Sequence, residues 1–596
     1  MRNCLKTILS GVSALAIGAG LASGAAAAAI QHAKAVHPLT RIGAVNLSAL
    51  AAGAAGGSGP PAPALARKGD GGDARVMPYH TLKPAAGTFR PLAIGQTLTA
   101  PHEGPVSFIE SEFTGFRALD HYDQRILADH GNQFSLEPPD QALAVGAGKI
   151  LEVVNNALMV YDSAGNPLLA APVSTNKFFL QFSEINRTTG ERGPFLSDPR
   201  AYYDAATGRF FVIEWGTLND TAGNPLNISV QFMAVSQTSD PTGSWYIYNF
   251  ETTHQTLPGC PCIPDFNQLG LDANGLFITH NLFNITTGSF VGASVYALPK
   301  LALENGSAYY VEFPVQQNDF TIHPTVTPPG GGFATEANGT EYLAETTDDL
   351  TVDGLSNVMN IWALSGTKSL NTLAPSLSLA VTSVGTQTVS ANLVPAVQKD
   401  GPRPLGNALG DPKPKLNPDD GRISANPFYV NGQIWAVAST AVTRANGLSG
   451  DGVAWFQVAA SGGAPALSAS VTSQGVISPG GRNLLYPAIA INAGGQGGIG
   501  VTVAGAGIYP STGVISMPEF AAAIVHVTGV GALPDDGFTA YPQYGGNGVG
   551  RWGDYGAAAI DEYGNPWFAN EYIPPVTAAN PRSSLANWGT FISRSQ

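Results

Sequence analysis

The stretch that decides the fold is Arg551-Trp-Gly-Asp-Tyr-Gly-Ala-Ala-Ala-Ile-Asp-Glu-Tyr-Gly-Asn-Pro-Trp-Phe-Ala-Asn-Glu-Tyr572. It opens on polar residues, runs through small apolar ones and turns between Asp561 and Pro566. It then climbs back through Trp567-Phe-Ala-Asn to a second polar cluster at Glu571 and Tyr572. Taken alone this is a β-hairpin with its chemistry at the open end. Six other segments repeat it in outline: a polar residue beside Pro or an aromatic, a short apolar strand, a Gly/Asp/Asn turn, and a strand with Phe, Trp or Ile near its start. The seven units begin at Asp140, Asp198, Asp265, His323, Asn426, Tyr486 and Asp554. They lie about 60 residues apart, apart from one interval of about 100. Sixty residues hold four strands of five to eight residues with their turns. A four-stranded unit repeated seven times buries its faces only against its neighbours, which predicts an all-β, seven-bladed β-propeller.

Two details extend that expectation. The last unit supplies three strands, the third being Gly589–Arg594. Gly104–Phe113 is therefore the expected donor of a fourth strand, closing the ring by pairing N-terminal and C-terminal segments and leaving no open edge. The long interval places an insertion within 350–421, with Lys399–Gly421 as its exposed part.

Working outward, the N-terminus differs in character. Arg2 and Lys6 precede an apolar run from Ile8 to Leu21 and the small residues Ala22–Ala29, so residues 1–29 are expected to be a signal peptide. Residues 30–100, rich in Ala, Gly and Pro, are expected to be a flexible linker, and 101–596 the propeller. The composition fits an exported protein of many short elements: 596 residues, 12% charged, 71 Gly and 44 Pro. The net charge of −14 disfavours nucleic acid and anionic lipid as partners. No segment of the mature chain is apolar enough to span a bilayer. Cys260 and Cys262 are expected to pair as a local disulfide.

In a propeller the first strand of each blade lines the central channel, so residues at its entry end converge however far apart they lie in sequence. The converging set contains Arg200, Arg422, Arg482, Arg551, His323 and Asp554 as ligand-binding candidates. The returning second strands offer Glu214, Glu345, Glu571 and Tyr572 as catalytic candidates. Guanidinium forks clamp a carboxylate, a carboxylic acid protonates a leaving oxygen, and Glu or Tyr meets charge at the anomeric carbon, so this set suits a carboxylated sugar. Against that stands a structural reading in which the recurring Asp residues cap turns and the Arg residues neutralise them. No metal ligand set is assigned. The repeated Asp could hold Ca²⁺, but EF-hand spacing is absent. Gly494–Gly500 lies between two strands, so it is a hairpin turn and no nucleotide loop.

The turns at Asp561–Trp567, Asp272–Phe277 and Asp204–Phe210 resemble the Asp boxes of sialidases, although Gly falls late and the leading Ser is absent. The chain also resembles a group of exported bacterial propeller proteins, largely uncharacterised. The resemblance rests on Pro138-Pro-Asp-Gln-Ala-Leu-Ala-Val-Gly146, a Cys-Pro-Cys loop before an Asp-x-Asn-Gly hairpin, and the ending quoted above. It covers about 135–596 and implies a fold and a compartment, with no activity. The expectation is a monomeric, exported recognition or scaffold propeller binding a glycan or cell-surface ligand at its polar channel face. The alternative is a sialidase-like glycoside hydrolase or lyase.

Overall fold

In the computed structural model the described residues are 30–55, 73–76, 83–84, 98–103, 107–110, 113–478, 480–517, 520, 524–577 and 585–594. The expected signal peptide lies outside them. The protein is all-β, and among the described residues its main strands fall into antiparallel units of about four, sheets 1 to 7, with sheets 2 and 3 joined through a shared strand into one nine-stranded sheet. Sheet 1 comprises Ala142–Gly146, Lys149–Val154, Ala157–Asp162 and Val173–Ser174. Sheet 2 comprises Phe195–Asp204, Arg209–Asn219, Pro225–Ser236 and Ser244–Glu251. Sheet 3 comprises Cys262–Leu271, Gly275–Asn284, Phe290–Pro299 and Ala308–Glu312. Sheet 4 contains His323–Pro324, Thr340–Thr346, Leu355–Ser365 and Ser378–Ser390, and sheet 5 contains Phe428–Val430, Gln433–Thr443, Ser449–Ser461 and Ser468–Ile477. Sheet 6 holds Asn483–Ile491, Gly497–Gly505, Ile508–Ser516 and Ile524–Val527. Sheet 7 holds Ala557–Ile560, Pro566–Tyr572 and Gly589–Arg594, with Thr114–Asp120 as its fourth strand.

Apolar side chains are buried between neighbouring sheets. One cluster joins sheets 7, 1 and 2 through residues such as Trp567, Leu151 and Phe210. Others join sheets 2 with 3, 3 with 4, 4 with 5, and 5 with 6 and 7. Innermost strands carry small residues where they crowd, as in Ala142-Leu-Ala-Val-Gly146, and a Cβ on Gly146 would collide with the Tyr203 ring of the next sheet.

The N-terminal donor differs from the one expected. Ser107–Glu110 adds in parallel to the outer strand of sheet 6. Thr114–Asp120 completes sheet 7, pairing Phe116 with Ile592 and Arg117 with Phe591. Ser107–Glu110 and Thr114–Asp120 are both short segments of mixed polarity, and sequence pattern alone does not decide which sheet edge each meets.

Residues 30–55 also depart from the expected linker. Ala35–Asn46 lies between the outer strands of sheets 2 and 3, pairing with both, and Gln31–His32 adds to sheet 4. Helix Leu47–Ala55 follows, with Leu47 and Ala51 fully buried. Alternating burial along Ala35–Asn46 is present, but Ala- and Gly-rich flanks hide it in the sequence. The expected exposed insertion is likewise partly internal: Leu405, Leu416 and Asp420 are buried, and Lys415–Leu416 pairs with Val549–Gly550.

Glu152 ties the closing strand to sheet 1. Its Oε2 accepts the Leu119 N–H at 3.0 Å, and burial raises its pKa to about 7. The folded carboxyl holds its proton more tightly than the unfolded one. Its stabilising contribution is therefore complete below the unfolded value near 4.5 and is lost as pH rises through about 7. Glu152→Gln is expected to flatten the pH dependence of unfolding by about 3 kcal/mol between about pH 4.5 and pH 8. Urea denaturation of both proteins across that range checks this, and parallel curves would count against it.

Candidate functional site

Several inner strands share features at their heads. Asp140, Asp198, Phe266 and Tyr486 take left-handed φ of 44°, 59°, 55° and 51°. Register shifts follow at Ser197/Arg200, Asp265/Gln268 and Leu485/Ala488, which are β-bulges that re-aim the next side chains. Such backbone costs energy in a non-glycine residue and needs local bonds to hold it. Those bonds cross between sheets. The Asp198 N–H donates to Asn155 Oδ1 at 3.0 Å, and the Phe266 N–H donates to Asp198 Oδ2 at 3.1 Å. The Thr321 N–H donates to Asn281 Oδ1 at 2.8 Å, and the Asp554 N–H donates to Asp140 Oδ1 at 2.7 Å. Asn155 Nδ2 donates to Asp140 Oδ2 and Trp215 Nε1 to Asp198 Oδ2. The recurring Asp residues are thus stitching between sheets.

The turns are equally structural. Asp561 accepts from the N–H groups of Tyr563 and Asn565 and from Trp567 Nε1, and Asp162 and Asp220 organise their own turns the same way. Asx-turn bonding explains these residues without a ligand.

Three carboxylates come together here: Asp140, Asp198 and Asp554 offer oxygens that all lie within 4.8 Å of one another, in buried positions. Arg200 lies beside them. Its guanidinium sits 3.4 Å from the centroid of the Tyr555 ring and 5.1 Å from that of Phe266. Nε donates to Asn267 O at 3.1 Å and Nη1 to Ser424 O at 3.2 Å. Burial lowers its pKa, against the pull of Tyr555, Asp198 and Asp140. Tyr555 in turn donates its hydroxyl to Pro199 O at 2.8 Å.

The other expected clamps are also engaged. Arg422 binds Asp419 at 2.8 Å and Asp420 at 2.9 Å, and it lies 3.7 Å from the Phe266 ring centroid. Burial works to lower its pKa, but Asp420 and Asp419 hold it above the usual guanidinium range. Arg551 pairs with Asp554, three residues on. Arg482 is a correction: it leaves the converging set and lies 4.0 Å from the ring centroid of Phe108, on the added strand of sheet 6. The repeat alignment could not foresee the aromatic brought there by residues 107–110.

The carboxylate and tyrosine candidates are scattered and buried. Glu345 accepts from Phe320 N–H, Asn360 Nδ2 and Trp362 Nε1, which uses its oxygens structurally. Tyr572 packs edge-on against Phe591 at 5.6 Å. Glu214 is fully buried, and burial raises its pKa well above the usual carboxylate range. His323 is fully buried and burial pushes its pKa well down, so it is a neutral ring beside Arg200 and Arg422. Glu571 is buried, its pKa raised by burial and by Asp535, Glu137 and Asp140, and its Oε2 has no hydrogen-bond partner.

Below this layer a small cavity is lined by Gln141, Arg200, Asn426 and the small residues Ala142, Ala425 and Gly556. It holds about 20 Å³, roughly one water. Residues missed by sequence reasoning are Tyr555, Phe266, Asp419 and Asp420. Tyr555 and Phe266 follow motif Asp residues directly. Asp419 and Asp420 fall in the segment expected to be exposed.

No protein-family profile matches the chain, and no curated protein matches it. Among solved structures, it is similar to the parainfluenza virus 5 hemagglutinin-neuraminidase ectodomain at TM-score 0.34 and 9% identity, covering 67% of this chain and 80% of that one. It is similar to Trypanosoma rangeli sialidase at TM-score 0.31 and 8% identity, covering 70% and 59%. For a putative exo-beta-1,3-galactanase from Bifidobacterium bifidum s17 the values are 0.25 and 10%, covering 61% and 97%. Likenesses this weak carry no inference about the chemistry of this chain.

Proposed function

We propose that the chain is an exported, closed seven-bladed propeller that recognises or displays a glycan or cell-surface ligand without cleaving it. The observation that carries this reading is the fate of the guanidinium groups. A hydrolase of acidic sugars needs two carboxyl groups about 5–9 Å apart in an open pocket with free Arg residues beside them. Here Arg422 and Arg551 are spent on Asp419, Asp420 and Asp554, while Arg200 is spent on main-chain carbonyls and an aromatic stack. Glu345 is likewise committed to Asn360, Trp362 and the Phe320 N–H. Export is supported by the basic and apolar N-terminus and by the closeness of Cys260 and Cys262, whose Cα atoms are 4.6 Å apart. The same pair, oxidised, would stiffen the loop entering sheet 3.

A glycan array probed with the mature chain tests the recognition reading. Retention on a defined glycan class, with the glycan recovered intact, is the expected result. Absence of retention across the array, together with no binding to intact cell envelopes, removes it.

A further inference from the structure

Lys83, from the N-terminal segment, sits where two distant parts of the chain gather acids. Its Nζ donates to Asp419 O at 3.2 Å and lies 3.7 Å from Asp420 Oδ2. The acids come from the turn Asp348–Leu350, after the second strand of sheet 4, and from Asp419-Asp420, shortly before sheet 5. Acid and cation differ in access to solvent. The Asp420 side chain is 1% exposed and that of Lys83 is 41% exposed, so the carboxylate is walled in while the ammonium reaches it from the solvent side. Asp420 Oδ1 pairs with Arg422 Nε at 2.9 Å, but Oδ2 of Asp420 has no hydrogen-bond partner, and nor has Oδ2 of Asp349. A buried carboxylate oxygen left without a partner is costly, so these oxygens call for a donor or cation. The Lys83 ammonium registers that field. Burial works to lower its pKa, but Asp420, Asp419 and Asp349 hold it above the usual lysine range.

We propose that Asp349, Asp419 and Asp420 form a binding site for a primary alkylammonium group, which Lys83 occupies in cis. The charges favour a single positive ligand. Burial, reinforced by Asp349, raises the Asp348 carboxyl well above the usual range, and burial, reinforced by Asp420, raises Asp349 to about 8. Both therefore keep their protons at neutral pH. Burial and Asp420 also raise Asp419, but Arg422 at 2.8 Å opposes them. The two carboxylates paired with Arg422 exceed its charge by one, which one ammonium balances. The acceptors choose the chemistry. A main-chain carbonyl and a carboxylate oxygen both suit N–H donors, and an ammonium is compact where a guanidinium is a wide planar fork. A lysine side chain of another protein and a small free amine carry the same group. Either would enter when Lys83 leaves, so the N-terminal segment acts as a built-in competitor.

The test uses the full mature chain carrying Lys83→Ala, with the wild-type chain beside it, at pH 7 and fixed ionic strength. Butylamine, which reproduces the lysine stem and ammonium, is expected to raise the Tm of Lys83→Ala in a saturable way and to leave the wild type unmoved. Butanol, of the same shape without the charge, should do neither. Asp420→Asn added to Lys83→Ala is expected to weaken the butylamine response on the order of 10-fold or more. A blocked Gly-Lys-Gly peptide separates the sources: a response to it as well as to butylamine assigns the site to a lysine-bearing chain, and a response to butylamine alone assigns it to free amines. A folded Lys83→Ala chain with no saturable response to butylamine overturns the proposal, as does an equal response to butanol. Should Lys83→Ala not fold by itself, butylamine in the refolding buffer is expected to restore folding, and failure of that rescue overturns the proposal too.

Discussion

A chain that begins at residue 122 is expected to yield no soluble folded monomer, whereas one that begins at residue 113 should fold with reduced stability. The first truncation removes Thr114–Asp120, which completes sheet 7 through the pairs Phe116 with Ile592 and Arg117 with Phe591. It also removes Leu119, which is 1% exposed, and the N–H group that Glu152 accepts. Thr590 Oγ1 would lose its acceptor at Leu119 O. Each lost buried hydrogen bond costs about 1 kcal/mol net and more where a partner is stranded. Adding the apolar burial brings the loss near the whole 5–15 kcal/mol by which domains are stable. The exposed edge of Gly589–Arg594 would then be free to pair with another chain. The second truncation loses Ala35–Asn46, which lies between sheets 2 and 3 on their outer side, and leaves sheet 7 complete. Size-exclusion chromatography and circular dichroism of the two products separate the cases. Equal behaviour of both would contradict the role assigned to residues 114–120.

Arg200→Ala is expected to destabilise the protein by about 3–5 kcal/mol, the range for breaking a buried charged network. Three losses add. Asn267 O and Ser424 O lose their donor, each stranded acceptor costing about 1–3 kcal/mol. The stack on Tyr555 disappears, and desolvated cation–π contacts reach about 2 kcal/mol. Asp140 and Asp198 lose the cation that faces them. Arg200 is 4% exposed, so solvent does little to soften these terms. Arg200→Lys should not restore stability, because an ammonium can neither stack as a plane nor reach both carbonyls with a fixed fork. Chemical denaturation reads this out. A ligand-binding role alone predicts unchanged stability for both variants.

The repeat made most of the fold legible. Units beginning near Asp140, Asp198 and Asp265 became sheets 1 to 3, and Gly589–Arg594 became a strand with the bounds expected. The reason is physical: each unit buries its faces against the next, so its apolar pattern must recur. Strands that do not belong to the repeat were less legible. Ala35–Asn46 alternates in burial, yet nothing in its own sequence announces the two sheet edges it joins. The convergence of Asp140, Asp198 and Asp554 followed from the repeat, and so did the structural role of the recurring Asp residues. What each Arg would meet did not follow. Phe108 beneath Arg482, Tyr555 beneath Arg200 and Asp419 beside Arg422 come from other sheets or from the long interval, where pattern says nothing of distance.

The central functional claim is that the polar groups around Arg200 are internal fabric and do not cleave glycosides. A panel of fluorogenic glycosides, including sialosides and uronides, incubated with the mature chain with and without calcium measures it directly. No turnover above the buffer rate is expected for any substrate in either condition. Turnover that is lost in Glu571→Gln, a variant that still folds, would contradict it.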